Sequence, residues 1–405
     1  MQRGNDLHFK SLQFSIWLAV GSFWLFIYVY YSQLGLSATH VGLVITASSL
    51  AGTLAAPYWA SLKDRLGRVR LVLTILSAGA ILLCMVLSAQ RSVAGVVGVA
   101  ALFAIFTSGI LPLLDSSLLN MLGERRAHYG AFRAWGTIGF VAGSALIGVL
   151  IDRLGTHIIF AAYALGVLVF ALLAQRLPDV PVTPGLARRA GLIAMIRQPD
   201  WLLFALSVFV LWISVMGALG FLGIVVVQMG GDQRLIGLAA TIAALTEIPF
   251  FQYSSRILRR LGPGRMLAFA MGLYVLRLAL YGLMPSPGWV LGLALLQGAS
   301  YGPFLAGAVA YADQLAPAGL KATGQGLLAS VMSLSNLVAG LAAGWLLDHA
   351  GRSGLFFTTS ATALAALALL GLGTLRARSL RARRARALSQ TSAFGDKHDY
   401  PQSST

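Results

Sequence analysis

The stretch LVLTILSAGAILLCMVLSAQ, residues 71–90, runs for twenty residues without a charged side chain. A helix of that length rises about 30 Å, the thickness of the hydrocarbon core of a bilayer. Comparable runs recur along the chain, giving twelve candidate spans at approximately 12–35, 40–61, 71–90, 93–121, 130–151, 157–176, 201–229, 235–257, 265–284, 288–313, 322–347 and 353–375. Backbone amides in lipid have no water to bond, so each run must satisfy them internally as a helix. Composition agrees: of 405 residues 58% are hydrophobic and 11% charged, against about 25% charged in a soluble domain. The expected fold is an all-α membrane protein. The first run is too long for the core of a signal peptide and is read as a retained helix.

A net charge of +17 would suggest a nucleic-acid partner in a soluble protein. Its distribution gives another reason. Twenty-five Lys and Arg, counting Arg133 at the start of the fifth span, fall on the side that carries both termini; four (Arg91, Arg153, Arg234 and Arg352) fall on the other, and Arg277 lies inside a span. The positive-inside rule then places both termini in the cytoplasm, and no nucleic acid is needed. Of the 30 basic residues 26 are Arg; with the wealth of Ala, Leu and Gly this points to a GC-rich bacterial genome, hence to the inner membrane. The single cysteine, Cys84, sits in an apolar run, which excludes an intramolecular disulfide or a thiolate metal cluster. No metal or cofactor is expected.

The longest break, LPDVPVTPGLARRAGLIAMIRQP at 177–199, separates six spans from six. LIDRLG at 150–155 returns as LLDHAG at 346–351, an offset of 196, and LGRVR at 66–70 returns as LGPGR at 261–265, an offset of 195. The expected layout is therefore an N-terminal six-helix bundle at 1–176, a cytoplasmic linker at 177–199, a C-terminal bundle at 200–376, and a basic, then disordered, tail at 377–405. The Arg-rich run from Arg376 to Arg386 suits anionic lipid headgroups. Parallel six-helix repeats belong to alternating-access carriers that hold substrate between the halves.

ASLKDRLGRVR, Ala60 to Arg70, resembles the loop signature of the major facilitator superfamily. Leu62, Asp64, Arg65, Gly67 and Arg68 match it, and Ala60 replaces its first glycine. In that family the loop latches one conformational state against span 11, which makes Asp64, Arg65, Gly67 and Arg68 the expected latch. YGAFRAWGTIGF (129–140), EIPFF (247–251) and ATGQGL (322–327) are similar to the lactose-permease, phenylpropionate-permease and nucleoside–proton symporter branches. In the lactose permease an acid eighteen residues before the span-5 arginine binds sugar with it. Here Asp115 precedes Arg133 by eighteen.

Helix geometry supports that pair separately. Asp115 lies ~12 Å from the cytoplasmic end of span 4, and Arg133 enters ~5–8 Å from the same face with a side chain that reaches inward. Tyr129, Arg133, Gly136, Thr137 and Phe140 share one face of span 5. Gly139 and Gly143 form a small-xxx-small pattern for close helix approach. A buried acid–base pair can tie spans 4 and 5 together or read substrate; the insertion cost of intramembrane charge favours substrate recognition by Asp115, Arg133 and Phe140. Glu247 and Arg277 form a second expected pair ~13–18 Å from the cytoplasmic ends of spans 8 and 9, either a static bridge or a proton-coupling site. The lactose permease carries a His and a Glu on span 10, whereas LLQGASYGPF (295–304) offers neither. Coupling would rest on Glu247 or Asp115.

The sequence therefore reads as a carrier, not an enzyme. It is expected to act as a monomer importing a small polar solute (a sugar, nucleoside or aromatic acid) by proton symport, with the proton gradient as driving force. A proton-driven drug or sugar efflux antiporter is the alternative. An intramembrane enzyme would need a motif such as HExxH or GxSxG, and none accompanies the spans.

Overall fold

The computed structural model describes residues 2–178, 195, 198–317 and 320–395. Most of the linker expected at 177–199, and the tail from 396 to 405, lie outside them. Ten long apolar passes are α1 (Asp6–Gln33), α2 (Ala38–Leu66), α3 (Val69–Ala89), α4 (Val93–Leu122), α5 (Tyr129–Leu154), α7 (Pro199–Gln228), α8 (Gln233–Leu261), α9 (Pro263–Gly282), α10 (Trp289–Leu315) and the stretch Thr323–Arg376. A shorter apolar helix, α6 (Ile158–Ala174), completes the first half. The 54-residue stretch Thr323–Arg376 would be about 81 Å long, more than twice one crossing. It breaks at Gly351, where φ is +64°, into α11 (323–350) and α12 (352–376). A side chain at 351 would resist that left-handed backbone. Twelve passes result, in two pseudo-symmetric six-helix bundles.

Boundaries shift where polar residues still favour helix. α2 continues to Leu66 and α8 to Leu261, beyond the expected 61 and 257. Leu, Lys and Arg extend an existing helix readily, and α2 stops only at Gly67, with φ +61° and its N–H on the Lys63 carbonyl. Beyond Arg376 the last helix continues through Gly395. The basic run is thus helical, and helix extends into the stretch expected to be disordered, where Ala387, Leu388 and Gln390 are good helix formers.

Within each half, glycines set the closest packing. α1 lies along α5: a Cβ at Gly139 would strike the Phe14 carbonyl, one at Gly143 the Leu18 carbonyl, and one at Gly21 the Phe140 carbonyl. Their repeat mates α7 and α11 meet at Gly217 and Ala343.

An even number of passes puts both termini at one end of the molecule, the terminal end; the opposite end is distal. The halves meet distally. Added Cβ atoms at Gly42 and Gly344 would strike the carbonyls of Gly340 and Ala38, and one at Gly237 would crowd the Ser144 carbonyl. Thr46 donates to the Leu337 carbonyl at 2.9 Å. Gln233 donates to Thr156 at 3.3 Å, and Thr156 to Gln33 at 2.7 Å. α2–α11 and α5–α8 therefore close the distal end, and the molecule faces the terminal end.

Candidate functional site

The charges of α4 and α5 come together, but not as an ion pair. Asp115 accepts from Gln13 Nε2 on α1 at 3.0 Å and interacts with the Tyr129 hydroxyl. Arg133 instead lays its guanidinium over the Trp17 ring, 3.9 Å from the centroid. Asp115 and Tyr129 lie within its electrostatic reach, as do Tyr301 and Glu247 of the other half. The direct Asp115–Arg133 contact allowed by helix geometry is thus replaced by two separate attachments to α1. The reason is local: Gly136, one turn beyond Arg133, leaves the space that Trp17 and the guanidinium fill. Phe140 meets Trp17 edge-on at 6.4 Å, so it props the ring that carries Arg133.

The second expected pair is also indirect. Arg277, 3% exposed, donates from Nε and Nη2 to the Tyr281 hydroxyl at 3.2 and 2.9 Å and from Nη1 to Gln297 Oε1. Gln297 Nε2 donates to Glu247 Oε1 at 3.0 Å. An amide is suited to this place, because one end accepts from a cation while the other donates to a carboxylate. Gln297 belongs to the α10 segment that lacks a titratable His or acid, so a neutral relay stands there. Trp212 of α7 stacks on Phe304 at 5.2 Å and lies 6.4 Å from Tyr301.

Sequence reasoning singles out the four charges and misses Gln13 and Trp17. Aromatic and amide side chains are frequent in apolar helices, and nothing local marks these. One signal was available for Trp17: it precedes Trp212 by 195 residues, the offset of the internal repeat. Gln13 is fully buried, and its Oε1, like Trp17 Nε1, has no hydrogen-bond partner among the described residues.

The expected latch residues stand at the terminal end of α2. Gly67 takes the left-handed backbone, while Asp64, Arg65 and Arg68 are exposed, with Asp64 paired to its neighbour Lys63 at 3.1 Å. Among the described residues no group of three or more His, Cys, Asp or Glu is arranged to hold a metal.

Two six-helix bundles, closed at one end and presenting charged side chains from both halves, define a major facilitator carrier. The chain belongs to the MFS_1 like family, whose model matches residues 7–358. It is a multi-pass membrane transporter and not an enzyme. It is 29% identical over 363 residues to a maltose permease of Geobacillus stearothermophilus, covering 86% of this chain and 90% of that one. It is 26% identical over 301 residues to a probable 3-phenylpropionic acid transporter of Escherichia coli strain K12, covering 70% and 78%. In fold it is similar to the crystal structure of the nucleoside transporter NupG, with a TM-score of 0.81 at 14% identity over 91% of this chain and 98% of that one.

Proposed function

We propose that the protein imports a small polar organic solute (a sugar, nucleoside or aromatic acid) by proton symport across a bacterial inner membrane, as a monomer with both termini cytoplasmic. The halves 1–176 and 200–376 rock about the site, joined by the linker 177–199. The observation that carries this reading is the placement of Arg133 and Glu247, which belong to opposite halves and lie within electrostatic reach of each other. Intramembrane charges of this kind are costly and mark substrate or proton pathways. Asp115 and Arg133 bind substrate, with Phe140 supporting the aromatic wall. Glu247 takes up and releases the proton, and Arg277 answers its change of charge through Gln297. Relatives named as maltose, sucrose and 3-phenylpropionic acid carriers support the solute class.

The test is uptake into proteoliposomes of radiolabelled sugars, nucleosides and aromatic acids, with and without an inward proton gradient. Gradient-driven accumulation is expected in the wild type. Glu247→Gln should abolish accumulation while retaining exchange, and Arg133→Ala should abolish both. Gradient-driven removal of a hydrophobic cation, with no uptake of any solute, would replace this reading by efflux. A relative named as the multidrug resistance protein MdtG of Serratia proteamaculans, 26% identical over 287 residues, makes that arm worth running.

A further inference from the structure

Asp152 and Asp348, 196 residues apart in the matching turns LIDRLG and LLDHAG, have no part in the transport chemistry above. Each reaches from one half to the other at the distal end. Asp348, in the last turn of α11, accepts from the backbone N–H groups of Ala38 and Thr39 at 3.0 and 2.7 Å, and from the Thr39 hydroxyl at 2.6 Å. Those amides belong to the first turn of α2, which has no intrahelical acceptors for them. A carboxylate of the C-terminal half thus caps a helix of the N-terminal half, where the helix dipole favours negative charge. Asp152, in the last turn of α5, pairs with Arg234 Nε in the first turn of α8 at 3.1 Å. The repeat relates α2 to α8 and α5 to α11, so the two clasps occupy equivalent places.

α2 and α11 run antiparallel. At the terminal end the order therefore reverses: the last turn of α2, with Asp64, stands on the side where α11 begins. In this structure the ion pair of Asp64 is with Lys63, while the distal cap is fully formed.

We propose that Asp348 is the distal counterpart of the Asp64 latch. α2 and α11 exchange caps: Asp348 holds the start of α2 when the distal end is closed, and Asp64 holds the start of α11 when the terminal end is closed. Asp152–Arg234 reinforces the distal cap. Rocking that lengthens one contact shortens the other, and replacing one cap by a similar one keeps the two end states close in free energy, as cycling requires. The proposal rests on the alternating-access part of the proposed function and on neither its substrate nor its proton.

The experiment measures distances between spin labels in the full chain, with buried Cys84 replaced by Ala. One label pair sits on the exposed distal positions Leu154 and Leu283, the other on the exposed terminal positions Leu66 and Leu261. Asp348→Asn should raise the ratio of distally open to distally closed molecules roughly threefold to fivefold, the scale of a charged helix cap lost from an exposed site. The distal distance should lengthen and the terminal one shorten together. Thr39→Val, which removes one of the three donors, should give a smaller shift in the same sense and decides the matter if Asp348→Asn does not fold. Asp152→Asn should act in the same direction. Unchanged distances at both ends in the folded variants would overturn the proposal. No substrate or gradient is used, so a failure of the solute or proton assignment leaves this result readable.

Discussion

A guanidinium buried in a membrane helix is ordinarily matched by a carboxylate, yet Arg133 rests on an aromatic face while its nearest acid is bonded to Gln13. Stacking of a cation on Trp is worth about 1 kcal/mol at an exposed site and about 2 kcal/mol when desolvated; half-buried Arg133 lies between the two, and its planar guanidinium presents its edge donors to a ligand. Lysine would preserve the charge and lose both the plane and the fork. Arg133→Lys is therefore expected to raise the KM for uptake about tenfold, an effect of about 1.4 kcal/mol, and Trp17→Leu to do the same. Equal uptake by Arg133→Lys and wild type would sink the stacked geometry as a functional feature. Charged residues of the site were legible in the sequence because lipid makes every intramembrane charge conspicuous. Gln13, Trp17 and Tyr281 were not, since neutral polar and aromatic groups cost little in a helix and acquire meaning only from the neighbour they meet.

At the level of helices, the number and order of passes were legible because each needs its own apolar length. Their ends were less so. Lipid sets where a span must be apolar, whereas helix propensity and capping set where the helix stops, and at α2 the two differ by a full turn. The turn between α11 and α12 is a single glycine, since Gly351 alone reverses a helix that otherwise continues. Close helix pairs were readable where small residues recur at four-residue spacing. Gly139 of α5 presses on the backbone of α1, while Gly98 of α4 has nothing within 4 Å of an added Cβ. Overpacking a tight contact costs about 1–3 kcal/mol. Gly139→Leu should lower the midpoint of thermal unfolding in detergent by several degrees, and Gly98→Leu should leave it within error. Equal midpoints for the two variants would mean that α1 and α5 do not depend on this approach.

For the whole molecule, the orientation in the membrane decides what the distal closure means. In the proposed orientation the terminal end faces the cytoplasm, for which the charge asymmetry argues, because translocating a loop rich in Lys and Arg is disfavoured. A molecule closed distally is then inward-facing, with Arg133 and Glu247 open to the compartment into which an importer releases its solute. A green fluorescent protein fused after residue 405 is expected to fluoresce, and alkaline phosphatase fused there to be inactive. Phosphatase placed at Gly35, in the turn between α1 and α2, should be active. Removing the basic tail should leave this pattern intact, since the α2–α3 junction (Lys63, Arg65, Arg68 and Arg70), the α6–α7 connection (Arg176, Arg188, Arg189 and Arg197) and the α8–α9 junction (Arg256, Arg259, Arg260 and Arg265) each bring four basic residues of their own, some of them within the helix ends. The opposite phosphatase pattern would turn the molecule over, make the same conformation outward-facing, and require Glu247 to load its proton from the other side.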